Sequence, residues 1–156
     1  MALETKEVIS TLNDLIETCK DGGEGFRTAA EHVSSPITKS LFSEFSSQRS
    51  KFASELQVEV TRLGGEAQKS GSISGAAHRG WLDLKSAVTK GDDSAIVAEA
   101  ERGEDNAKKH YREAVSKDLP TEVRSIVERQ ARSVQEAHDK VRSLEVKTSH
   151  GGATTY

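Results

Sequence analysis

The sequence predicts an all-α protein, a four-helix bundle with a long crossover between its second and third helices. Three observations carry that prediction. Four stretches repeat apolar residues at alternating three- and four-residue steps, which line one face of a helix. The only two prolines, Pro36 and Pro120, fall where one such pattern gives way to the next. Between the second and third patterns lie about 27 residues, far more than a helix–helix hairpin needs.

The first helix is expected over Thr5–Val33, on the stripe Val8, Leu12, Leu15, Cys19, Phe26, Ala30 and Val33. Gly22 and Gly23 interrupt it and cost on the order of 2 kcal/mol of helix propensity relative to alanine. They either admit close approach of a neighbouring backbone or mark a bend. Ser34 and Ser35 then cap a helix that Pro36 opens, a proline suiting the first helical position because its missing N–H has no partner there anyway. This second helix runs to Leu63 on Leu41, Phe45, Phe52, Leu56 and Leu63, and Gly64–Gly65 end it. Residues 66–75, rich in Gly and Ser, read as a loop, followed by a short amphipathic segment, Ala76–Val88, with Trp81, Leu84 and Val88 on one side. Asp92 or Asp93 caps a third long helix to Val115, on Ile96, Ala100, Ala107, Tyr111 and Ala114. The last helix spans Thr121–Val146 on Val123, Val127, Val134 and Val141. The bundle is thus one domain over residues 1–147, with a flexible, Gly- and Thr-rich tail over 148–156.

Connection lengths set the topology. Short breaks at 34–36 and 116–120 make two antiparallel hairpins. The link between them holds roughly 13 helical residues, about 20 Å of helix, enough to travel much of the bundle. The second and third long helices then run parallel, which is the ferritin-like arrangement.

Composition narrows the function. A net charge of −3 gives no basic footprint for a nucleic-acid backbone. No apolar run approaches the roughly 18 residues of a membrane span, and no secretory leader is legible. With a single cysteine, Cys19, no intrachain disulfide forms, and the expectation is a cytoplasmic protein without membrane or nucleic-acid partners.

The unusual part is the core. Buried polar groups are costly unless hydrogen-bonded, yet the helical wheel turns several inward. Gln48 lies within about 40° of the Phe45–Phe52 stripe, with Arg49, Glu55 and Glu59 flanking or interrupting it. Glu104 and His110 flank Ala107, and Gln130 and His138 lie within about 40° of Val134. Gln48, Arg49, Glu104, Gln130 and His138 are therefore the candidates for a polar core network. A di-iron bundle centre needs one Glu from each of two helices and Glu-x-x-His from each of the other two. This chain has no Glu-x-x-His, the nearest pattern being Gln135-x-x-His138, and Glu17, Glu24 and Glu31 of the first helix point outward. No cofactor is expected; the alternative is an iron or manganese site built from Glu104, His110 and His138. No catalytic residue is assigned: Cys19 sits on an apolar stripe, where a thiol is inert, His32 and His150 have no visible partner, and no nucleophile elbow or phosphate-binding loop is present. His78-Arg79-Gly80-Trp81 is expected to anchor the crossover, Trp81 as a plug and Arg79 reaching a carboxylate such as Glu104; the alternative is that the tetrad lines a small pocket at the bundle end.

The run Asn13-Asp14-Leu15-Ile16-Glu17-Thr18-Cys19-Lys20-Asp21-Gly22, with Gly25-Phe26-Arg27, Gln48-Arg49, His78-Arg79-Gly80-Trp81, Glu101-Arg102-Gly103-Glu104-Asp105 and Tyr111, resembles the PA2169-type family of bacterial four-helix-bundle proteins, which carry the DUF2383 domain. The resemblance covers about residues 5–145. It implies a ferritin-like fold and no known activity, so no catalytic set is carried over. Two functional expectations follow. One is a non-enzymatic, stress-associated bundle acting through a protein partner or a homo-oligomer. The other is a degenerate ferritin-like metal or small-ligand site with redox activity.

Overall fold

The computed structural model describes residues 3–66 and 80–151, with side chains as far as Leu144. The described helices are α1 (Thr5–His32), α2 (Pro36–Arg62), the short α3 (Leu84–Lys90), α4 (Asp93–Val115) and α5 (Thr121–Gly151). α1 packs along α2 and α4 along α5, and the two hairpins meet through α1 against α4 and, less extensively, α2 against α5. Among the described residues no helix is long and apolar enough to cross a membrane.

The expected caps form. Ser35 accepts from the Thr38 N–H at 3.3 Å with Pro36 behind it, and Asp92 accepts from the Ser94 N–H at 3.0 Å. Contacts at the two ends establish the chain directions. At one end the N–H groups of Ser34 and Ser35 donate to the Asp93 carboxylate at 2.8 and 3.1 Å, tying the first hairpin to the start of α4. At the other end the Leu3 N–H donates to the Asp118 carbonyl, and Lys117 reaches Thr11 at 3.1 Å. α2 and α4 therefore start at the same end and run parallel, as the crossover length predicts.

Three points differ from the sequence expectation. The inward turn of α2 is taken by Phe42, with Leu41 only half-buried. Of the expected crossover segment Ala76–Val88, the described part is helical as α3 from Leu84 to Lys90; residues 67–79, which hold most of the expected loop 66–75 together with His78 and Arg79, lie outside the described residues. α5 continues past the expected boundary at 147 to Gly151, since nothing between Val146 and that glycine breaks a helix; residues 152–156 lie outside the described residues.

The core has two apolar halves. One is aliphatic, built on Leu12, Leu15, Leu56, Val60, Val123 and Val127. The other is aromatic, with Phe26 at 5.1–5.3 Å from the rings of Phe42, Phe45 and Trp81. A polar zone separates them.

Candidate functional site

α1 passes Gly22 and Gly23 as an unbroken helix, so these glycines serve close approach. A β-carbon at Gly22 would stand 3.4 Å from Arg49 Nη1 and 3.5 Å from its Cγ, and Ser46 donates to the Gly23 carbonyl at 2.7 Å. In the space over these glycines α2 inserts Arg49, the largest fully buried side chain among the described residues. Its guanidinium donates to both oxygens of Glu104 on α4, at 2.5 and 2.6 Å, and both residues are at most 1% exposed. Arg49 Nε donates to Gln48 at 3.2 Å, and the guanidinium carbon lies 5.6 Å from the centroid of the Phe26 ring. Burial alone would lower the arginine pKa; the Glu104 carboxylate outweighs it and holds Arg49 above its ordinary value. A bidentate Arg–carboxylate pair is the geometry in which buried charges best satisfy one another.

A second chain of contacts crosses all four long helices. The Tyr111 hydroxyl on α4 donates to Gln130 Oε1 on α5 at 2.7 Å. Since that uses its single proton, the Cys19 thiol on α1, 3.0 Å away, is the donor to the tyrosine oxygen. Gln130 Nε2 donates to Glu55 on α2 at 2.9 Å and approaches the Phe52 carbonyl at 3.4 Å. Glu55, half-exposed, also accepts from Arg129 at 2.8 Å, which brings the relay to the surface. Burial pushes the Cys19 thiol up to about 11 and Tyr111 well above the usual phenol range. A protonated, buried thiol is not a nucleophile. For Glu55 burial acts upward, but the donors Arg129 and Gln130 outweigh it and hold the carboxyl below its ordinary value.

Gln48, Arg49, Glu104 and Gln130 all occupy the polar zone, as the wheel indicates, but they divide into two groups rather than one network. His138 joins neither: it is 3% exposed, and its Nε2 lies 2.7 Å from Asp105. His110 Nδ1 lies 2.7 Å from Asp14, toward the surface between α1 and α4. Glu104, His110 and His138, the expected metal candidates, therefore do not converge. The partner of Glu104 is Arg49; Arg79, expected to reach that carboxylate, lies outside the described residues. Nor do these residues fit the di-metal centre that ferritin-like bundles host, because both oxygens of Glu104, the most deeply buried carboxylate, are occupied by a guanidinium. The partners Tyr111 and Cys19 were legible only as stripe positions, since their polar atoms give no periodic signal.

The crossover is fastened by Trp81, 7% exposed and edge-on to Phe26. Its indole lies against Gly25 of α1 and Gly103 of α4, where any β-carbon would collide with the ring. Two residues on, the Asp83 N–H donates to Glu99 at 2.7 Å and the Asp83 carboxylate accepts from Arg102 at 2.8 Å. Trp81 also walls a groove of about 570 Å³ with Leu82, Leu84, Val88 and Glu24, so plug and pocket wall are the same side chain.

Fold and polar centre together define a ferritin-like helical-bundle protein. A mutant of Dps1 from Mycobacterium smegmatis has a similar structure, with a TM-score of 0.71 and 15% identity over 90% of this chain and 96% of that one. At that identity the likeness concerns the fold. The chain belongs to the DUF2383 family, described as a domain of unknown function, which it matches over residues 7–118. A search of curated proteins finds no match.

Proposed function

We propose that this protein is a non-enzymatic bundle that works by pairing with a second copy of itself through the outer face of α2. One observation carries the reading. Ile37, Ser40, Glu44, Ser47, Lys51, Ser54 and Val58 recur at alternating three- and four-residue steps along α2, and all are exposed. That spacing makes them one continuous stripe about 31 Å long. Its ends are large apolar residues, Ile37 at 76% and Val58 at 54% exposure, where solvated charge would be usual.

The stripe is self-complementary. A two-fold axis beside Ser47 sets α2 antiparallel to its copy, as an isologous contact requires. Ile37 then faces Val58 of the second copy, Glu44 faces Lys51, and the small serines let the helices approach. Opposite charges meet twice and like charges nowhere along the stripe, which favours this register over its slips. The interior supports a non-enzymatic role: the core carboxylate is sealed by Arg49 and the core thiol is held protonated by burial. Cytoplasmic placement and association with stress belong to the same proposal; transcript levels after oxidative or osmotic challenge test the latter.

Sedimentation equilibrium of the full chain decides the pairing. A dimer is expected, weakened at least about tenfold by Glu44→Lys and restored by Glu44→Lys with Lys51→Glu. A monomer at all concentrations, or a dimer indifferent to Glu44→Lys and to Ile37→Asp, overturns it.

A further inference from the structure

Away from both core layers, α4 and α5 bring together three groups of metal-ligating type. Glu101 and Asp105 are four residues apart on α4 and share a face; His138 lies opposite on α5. One ligand atom from each falls within 4.8 Å of the others. Two features separate this cluster from a chance gathering of surface acids. His138 is almost wholly buried, with Nε2 directed at Asp105 at 2.7 Å. Glu101 Oε2 is buried with no hydrogen-bond partner, a costly state for a carboxylate oxygen unless a cation meets it.

The outer contacts are those of a ligating histidine. His138 Nδ1 lies 3.4 Å from Asp139 Oδ1, and Gln135 donates to that same oxygen at 2.9 Å. A carboxylate on one ring nitrogen fixes the tautomer that frees the other for a metal. Gln135, whose spacing from His138 imitates the Glu-x-x-His motif, thus stands behind the histidine as a support.

We infer that Glu101, Asp105 and His138 bind a first-row divalent cation across the α4–α5 seam. One imidazole and two carboxylates select ions such as Mn²⁺, Fe²⁺, Co²⁺ or Zn²⁺ over Mg²⁺ or Ca²⁺, which prefer oxygen alone. Three protein ligands leave at least one coordination position to water. Asp105, 59% exposed, provides the entry path. Since donors at about 2.0–2.2 Å from such an ion stand about 3 Å apart when adjacent, Asp105 and His138 are already at ligand spacing. Glu101 closes on them by side-chain rotation. On binding, the cation replaces the hydrogen-bonded proton between His138 and Asp105, and that proton passes to solvent. The site staples the second hairpin and is independent of pairing through α2.

The test uses the untagged full chain, stripped of metal by chelator, titrated with Co²⁺ by visible absorption and with Zn²⁺ by calorimetry. One ion per chain is expected, with a rise in thermal midpoint. Affinity falls at least about tenfold in His138→Gln and in Glu101→Gln, and is unchanged in His110→Gln. Glu101 lies outside the packed core, so its variant reads the site even if His138→Gln fails to fold. No saturable binding at millimolar metal, or binding that survives Glu101→Gln and every folded His138 variant, overturns the inference.

Discussion

The two polar layers of this bundle solve the same problem in opposite ways. The Arg49–Glu104 layer carries full charges with both partners sealed from water, so each charge is balanced only by the other, while Gln48 accepts the Arg49 Nε–H. The Cys19–Tyr111–Gln130 relay is neutral inside and becomes charged only at Glu55 and Arg129, where water reaches it. Fragility is therefore uneven between the two layers. Loss of one member strands a buried charge in the first layer, whereas in the second it strands dipoles that have other neighbours.

The largest effect is expected at Arg49. Arg49→Met leaves the Glu104 carboxylate uncompensated and is expected to cost about 3–5 kcal/mol of unfolding free energy in urea titration. Arg49→Met with Glu104→Met should recover most of that loss, since a well-packed apolar replacement of a buried pair is often neutral. If the double variant is as unstable as the single one, packing rather than charge governs the layer. Tyr111→Phe, which removes the hydroxyl between Cys19 and Gln130, should cost less, about 1–3 kcal/mol.

The surface end of the relay predicts a pH dependence. The Glu55 carboxyl is held below its ordinary value of 4.5 in the folded state, so its contribution is present above that value and is lost as pH falls through the folded one. Glu55→Gln should therefore flatten the fall in stability on acidification below about pH 5 while costing under about 1 kcal/mol at pH 7. An unchanged acid limb in denaturant titrations would remove Glu55 from the relay. The smallest effect is expected at Gly22→Ala. The new methyl meets Arg49 at ordinary contact distance, and helix propensity gains about 1 kcal/mol at most, so thermal unfolding should shift little, toward greater stability.

Much of this was readable along the chain. The stripes through Leu12, Leu56, Ala107 and Val127 identified the inward faces, because burial follows helical period regardless of partner. The same period placed Gln48, Arg49, Glu104 and Gln130 inward. It could not group them, since a wheel carries no register between helices. Gln48 thus turned out to be a half-buried companion of Arg49, and His138 proved a neighbour of Asp105 rather than of Glu104. Tyr111 and Cys19 counted as apolar stripe positions because their polar atoms occupy only the tips of mostly apolar side chains.

The long helices, their caps and the parallel course of α2 and α4 follow from the amino-acid sequence, since these depend on local propensity, turn residues and connection length. Which inward groups meet is set by the packing of the helices: Arg49 comes over Gly22 to hold Glu104, Cys19 reaches Tyr111, and Trp81 lies between Gly25 and Gly103. Those contacts join residues tens of positions apart, and a shift of one helical turn, about 5.4 Å, would exchange every partner while leaving each helix's own pattern intact.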